Sequence, residues 1–525
     1  MPRSAELAIP HRPLRLLGGA AVALAIVVLV VLLFQAVLAA ARTPASPGVG
    51  TDIGYLISIT TLQATLTTIL SLIVGVALAW ALNRLRFVGR GLVIGLFASA
   101  IVTPGLVVAF GLIAIWGRSG WFGALGVPIY GLGGVVAAHV ILDAAFAARV
   151  LLARLDAIPD MRLKTGQSLG LDAWTRFAAI DWPAMRGSLP GLAAIIFLLA
   201  FTSFPIVLLL GGGPAVQTLE VAIYSAVRLD FDLVLAVQLA LIQIAICTAI
   251  ILATAAFAPI SSSLDRPVEP RWRDGGPARL LQWLILAIGL AGFGLPLLSV
   301  LIDGASAFSS LLARPSLWSA VFTSLAVGTG SALLTLLLAL VIASARAAST
   351  SPVLRVGMGA PAYAYLAVPG VALSLGAFLF VRELGLSVEI AAPPVVIIAN
   401  ALLSLPFAMA TIAPPFDAIA RSRGKLIRSL GLSGGRQFLA VEWPLIARDA
   451  GLVLALAFCF SLGDLGVIAL FGTQDFVTLP LMMMRAFGSY RTNDAAGIAA
   501  IMLVLTIAAF VLLPVLFERL SRARS

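Results

Sequence analysis

The sequence predicts an all-α integral membrane protein with about twelve transmembrane helices, arranged as two tandem, parallel six-helix repeats. Three observations predict it. The chain is 61% hydrophobic and 11% charged, with mean hydropathy +1.09, too little charge to cover a soluble protein of 525 residues. Long apolar runs recur along its length. And residues 155–183 and 416–444, which lie 261 positions apart, are identical at 13 of 29 positions without a gap. Both of these segments are polar islands in an apolar chain.

Crossing about 30 Å of hydrocarbon at about 1.5 Å per residue takes about 20 apolar residues. Spans are predicted at approximately 16–40, 58–82, 91–116, 131–153, 188–210, 233–258, 279–302, 318–345, 357–381, 391–413, 450–471 and 495–517. The first run is too long for the core of a signal peptide and is read as the first span. Of the 34 lysines and arginines, 27 fall at the N-terminus, the C-terminus and the loops after spans 2, 4, 6, 8 and 10. The positive-inside rule therefore puts both termini in the cytoplasm. Trp80, Trp116, Trp121, Trp283 and Trp318 fall near span ends, where interfacial aromatics anchor.

Residues 261–280, SSSLDRPVEPRWRDGGPARL, are rich in proline, glycine and charge and read as a cytoplasmic linker. The predicted organisation is a first half over 1–260, a linker over 261–278 and a second half over 279–525. Six spans on each side give both halves the same orientation, a parallel repeat about an axis along the membrane normal.

The repeated segments lie between spans 4 and 5 of each half. Each has a helix-compatible stretch, then Ser-Leu-Gly (Ser168 to Gly170; Ser429 to Gly431), a second stretch and Trp-Pro (Trp182-Pro183; Trp443-Pro444). Glycine ends a helix and proline is tolerated in the first turn of the next. The local chemistry reads helix, sharp turn, helix: an element lying across the membrane surface, able to receive a partner. Ordinary basic loops obeying topology are the plainer alternative. The shared 13-residue spacing from glycine to proline speaks against that.

These segments resemble the EAA loop of ABC-importer permeases, the coupling segment that docks in a cleft of an ATPase subunit. The resemblance assigns coupling positions to Gly170, Pro183, Gly431 and Pro444, and to Lys164 and Lys425. Lys164-Thr165-Gly166 and Lys425-Leu426-Ile427 stand where the family has Glu-Ala-Ala. Residues 137–159, 201–232 and 461–494 are similar to the thiamine members of the fused, double-length type I permeases; the likeness runs from about residue 60 to 515. It implies thiamine, with its phosphate esters, as the substrate, with iron(III) the alternative. It also implies two copies of a cytoplasmic ATPase that bind ATP and Mg, a periplasmic substrate-binding protein, and residence in the bacterial inner membrane.

Other features set limits. The GxxxxGK[ST] phosphate loop does not occur, so the chain is read as a transport subunit that binds no cofactor and hydrolyses no ATP itself. Basic loops between apolar spans do not suggest nucleic acid. Cys247 and Cys459 fall in apolar runs and read as small buried side chains. His11 and His139, the only two histidines, form no metal cluster or triad. His139 and Asp143 lie one turn apart on span 4, and Asp464 lies in span 11. Ionisable groups in spans are costly, so these could line a path for a cationic substrate. Contact between packed helices is the plainer reading, since Asn400 and Ser404 occupy the equivalent positions in the second half. Gly211-Gly212-Gly213-Pro214, with Glu220, Asp230 and Asp232, reads as an outer turn followed by solvated charge, or a surface for a delivery protein. Met482-Met483-Met484 reads as packing. An ion-coupled secondary transporter is the rival class, but it leaves the repeated basic segment without a purpose.

Overall fold

The computed structural model describes residues 12–42, 52–213, 216–254 and 272–522. Pro214 and residues 261–271 of the predicted linker lie outside them. Among the described residues the regular structure is helical, with no strand. Hydrocarbon offers the backbone no hydrogen-bond partner, so each apolar run must satisfy its own. Among the described residues nine helices are long and apolar enough to cross a membrane, or up to twelve if three sharply bent pairs each count as one span.

The chain begins with α1 (Arg12–Ala41) and α2 (Ile53–Arg84). The span predicted as continuous over 91–116 is instead α3 (Arg90–Ala98) and α4 (Gly105–Trp116), set at 112° to each other. Pro104 stands at the break, and a residue before proline is pushed out of the helical region. Next come α5 (Leu132–Asp156), α6 (Asp160–Ser168), α7 (Ala173–Arg176) and α8 (Trp182–Arg186). The span predicted over 188–210 is broken into α9 (Leu189–Phe201) and α10 (Pro205–Leu210); α11 (Leu219–Arg228) and α12 (Leu233–Thr254) follow.

After the linker region come α13 (Gly276–Leu312) and α14 (Pro315–Ala348). The span predicted over 357–381 is bent by 102° between α15 (Pro352–Ala364) and α16 (Gly370–Glu383), with Pro369 at the break. Then α17 (Val388–Ser429) runs unbroken for 42 residues. The chain ends in α18 (Gly434–Gln437), α19 (Trp443–Gly463), α20 (Gly466–Phe471), α21 (Leu479–Gly488) and α22 (Thr492–Arg522).

Packing interleaves the bundle. α2 lies against α5 as α14 lies against α17. α1 packs on α14, α15 and α16, far along the sequence, whereas α13 packs on α22 and reaches back to α4 and α2. Small residues permit these crossings, as lipid-facing helices gain little from burying apolar surface against each other. A Cβ on Gly19 would fall 2.3 Å from that of Ala345, and one on Gly111 would fall 2.3 Å from the Pro296 carbonyl oxygen.

Candidate functional site

A cavity of about 270 Å³ sits where the broken helices meet. α5 supplies His139, Leu142, Asp143 and Phe146, and α17 supplies Asn400, Leu403, Ser404 and Phe407. Within each helix that spacing (i, i+3, i+4, i+7) is one face. The ends of α9 and α19 add Leu199, Ser203, Phe460 and Asp464. Each of these twelve residues has its counterpart 261 positions away: 139 with 400, 142 with 403, 143 with 404, 146 with 407, 199 with 460, 203 with 464. The structure thus brings His139, Asp143 and Asp464 to one cavity.

The apolar lining is nearly matched across the pairs, but the polar groups are not. In α17, Ser404 returns its hydroxyl to the Asn400 carbonyl (2.7 Å) and Asn400 donates to Ser461 (3.0 Å). In α5, His139 Nδ1 lies 2.8 Å from the Val135 carbonyl oxygen. The same Nδ1 lies 3.2 Å from the Gln63 side-chain nitrogen, and Nε2 is buried without a hydrogen-bond partner. Asp143 Oδ2 is likewise buried without a hydrogen-bond partner. Asp464 differs: its carboxylate accepts from the Gly466 and Val467 amides (3.1 and 3.2 Å) at the start of α20. There it complements the free N–H groups of a helix start.

Two further elements sit at the end of the bundle where α1 and α13 begin. In the first repeated segment, α6 ends at Gly170, whose φ is +65°; in the second, α17 ends at Gly431, at +61°. Only glycine takes this left-handed conformation at no steric cost. A π-helical turn follows in each, Phe177–Asp181 and Phe438–Glu442, and runs directly into Trp182-Pro183 and Trp443-Pro444. The expected helix–turn–helix therefore has its sharp turn at glycine, while proline enters through a widened helical turn instead of a fresh start. The copies differ upstream as well. Pro159 separates α5 from α6, but Ala420 stands at the equivalent place and α17 continues through it. Lys164 and Lys425 are exposed. So are Met161, Leu169 and Trp174 in one copy, and Leu426 and Leu430 in the other.

Each segment is clasped by the opening of the other half's first helix. Arg176 is fully buried and makes a two-pronged contact with Asp274, just before α13, with Nη2 to Oδ2 at 2.7 Å. The Trp272 ring lies 4.8 Å from its guanidinium, and Gln282 donates to Asp274 (2.6 Å). Burial pushes the Asp274 carboxyl up, but the Arg176 guanidinium outweighs this and holds it below the ordinary carboxylate range. In the other segment, Arg15 of α1 donates two bonds to Glu442, at 2.8 and 3.0 Å, and Gln437 adds a third at 2.7 Å. The two clasps thus carry reversed charge: an acid just before α13 in one case, a base in α1 in the other.

Sequence reasoning misplaced one group. Glu220 is not a solvated loop charge; it is fully buried in α11. Asp232 instead accepts from the Leu235 amide (2.9 Å) at the start of α12. The amphipathic spacing of α11 was the available signal, masked by the polar loop on either side.

Similarity to known proteins agrees with this architecture over most of the chain. No protein-family model matches the sequence. The thiamine transport system permease protein ThiP of Brucella melitensis is 38% identical over 460 residues, 85% of this chain and 84% of its own length. The protein of the same name in Salmonella typhimurium is 35% identical over 472 residues, 86% and 87% of the two chains. That of Escherichia coli is 34% identical over 464 residues, 84% and 85%. The chain belongs to the family of thiamine transport system permease proteins. As a member of that family with nine to twelve apolar helices, it is a multi-pass inner-membrane protein of the ABC-permease class.

Proposed function

We propose that this chain is the permease subunit of an ATP-driven importer that carries thiamine, and its phosphate esters, across the inner membrane. The observation that carries the reading is the joint one of a shared sequence along about 85% of the chain with thiamine permeases and a central cavity built from residues 261 apart. The proposed organisation is two halves, 1–260 and 279–525, joined by the linker 261–278, with both termini cytoplasmic. Thiamine is a cation. Asp143 and Asp464 supply opposite charge in a cavity walled by Phe146, Phe407 and Phe460. Aromatic faces and a carboxylate in low dielectric favour a flat organic cation over water. His139 places a buried, unpartnered ring nitrogen beside it.

Energy comes from outside the chain in this reading. Two copies of a cytoplasmic ATPase dock on the segments carrying Lys164, Gly170 and Pro183, and Lys425, Gly431 and Pro444. ATP closes the ATPase pair, draws the segments together and opens the cavity outward to a periplasmic binding protein; hydrolysis resets it. The exposed apolar side chains beside Gly170 and Gly431 suit a docking surface. Proteoliposomes test this. Thiamine uptake should need the ATPase, ATP and the binding protein. Uptake driven by a proton or sodium gradient without ATP would sink it, and uptake of iron(III) in preference to thiamine would reassign the substrate.

A further inference from the structure

Glu220 is 0% exposed, and neither of its carboxylate oxygens has a hydrogen-bond partner. Its place is fixed by the neighbouring Leu219 amide, which donates to the Thr60 hydroxyl of α2 at 3.0 Å. The equivalent start of α21 is held the same way, Leu479 to Ser324 at 2.7 Å, but the next residue there is Pro480. The buried acid therefore exists in one half only. It opens on a second cavity of about 170 Å³, whose walls include Phe204, Gly370, Gly463, Phe460 and Asp464. Phe460 and Asp464 also line the central cavity, so the two spaces share a wall. The polar groups facing Glu220 are the Gln243 amide of α12 and the Val371 backbone amide of α16, with Asp464 the neighbouring charge.

We propose that Glu220 and Asp464 form a second cation station, which holds the thiazolium ring of the substrate before or after its passage through the central cavity. This rests on the transport reading above. A buried acid faced only by two amides and another carboxylate is matched by a positive partner when ionised. Two carboxylates beside Phe204 and Phe460 suit a flat organic cation. The space takes one ring, not a two-ring substrate. Carboxylates then succeed one another from Glu220 through Asp464 to Asp143, so a cation moving between cavities never leaves the reach of an anion.

The test uses the full chain in nanodiscs, without ATPase or binding protein, and labelled N-methylthiazolium in equilibrium dialysis, with neutral 4-methylthiazole as the uncharged control. Wild type should bind the cation in preference to the neutral ring. Glu220→Gln should weaken the cation about tenfold, the loss of one partly screened charge contact. Glu220→Asp should retain most of the affinity. Asp464→Asn should also weaken it, whereas Asp143→Asn, which touches the central cavity alone, should leave the Glu220-dependent binding in place. Equal binding of cation and neutral ring, or wild-type affinity in folded Glu220→Gln and Asp464→Asn, overturns the station. If the ring binds as expected but the wild-type complex imports no thiamine, the transport reading fails and the station stands.

Discussion

Replacing Asp274 by asparagine tests the clasp between the first repeated segment and α13. The side chains of Arg176 and Asp274 are 0% and 4% exposed. Asparagine keeps the shape but turns one prong into an N–H facing a guanidinium. Removing one partner of a buried pair costs about 3–5 kcal/mol. Asp181 Oδ2 remains 3.5 Å from Arg176 Nε and compensates in part, so about 2–3 kcal/mol is expected here. The second copy indicates how to relieve that loss. Gln437 occupies the place equivalent to Arg176 and donates to Glu442, the equivalent of Asp181. Arg176→Gln in the Asp274→Asn background should therefore recover stability, because no charge is then left buried alone. The assay is a double-mutant cycle on unfolding free energy in mixed micelles, with a coupling energy of about 1–3 kcal/mol expected. A single-variant cost below about 0.5 kcal/mol, the range of neutral surface changes, would refute the reasoning. So would additive effects of the two substitutions.

The same clasp has a pH dependence. Asp274 is held below its unfolded value, so the stability it contributes is complete above about pH 4 and is lost as pH falls further; acid titration of unfolding should show this loss, absent in Asp274→Asn. Gly111→Ala would place a methyl 2.3 Å from the Pro296 carbonyl oxygen and should destabilise the α4–α13 crossing by about 1–3 kcal/mol, read as a lower unfolding midpoint. Gly431→Ala forces a β-carbon into a backbone at φ +61°. It should cost about 1–2 kcal/mol locally and weaken capture of the ATPase, whereas Gly435→Ala, in open space, should not. Asp143→Asn should reduce thiamine uptake about tenfold while the protein still elutes as a folded species.

Much of this molecule could be read from its residues, and the parts that could not share a cause. Hydropathy located the spans because bilayer thickness sets their length. Gly170 and Gly431 announced their turns because a positive φ restricts the choice of residue. The right-angle bends at Pro104 and Pro369 were lost in averaging: a window of apolar residues scores alike whether straight or folded back. The π-helical turns before Pro183 and Pro444 depend on hydrogen-bond register, which composition does not encode. Glu220, the Arg176–Asp274 contact and the Arg15–Glu442 contact were missed because each joins groups whose proximity is tertiary. Arg15 and Glu442 are 427 positions apart. A charge near an apolar run looks solvated until the partner helix is known.

Comparing the halves separates what shapes the backbone from what performs the chemistry. Some residues that set conformation recur at the 261-residue offset, Gly170 with Gly431 and Pro183 with Pro444, as does the aromatic lining pair Phe146 and Phe407. Those that set the cavity's charge diverge: His139 against Asn400, Asp143 against Ser404, Ser203 against Asp464. Along the coupling segments, Arg176 stands against Gln437 and Pro159 against Ala420. A symmetric cavity would place two like charges face to face and repel itself, as each buried anion raises the cost of the next. With Asp143 and Asp464 at non-equivalent positions of the repeat, the cavity presents a single asymmetric surface. A substrate with one charged ring and one neutral ring needs such a surface, because only an asymmetric site can fix which end leads.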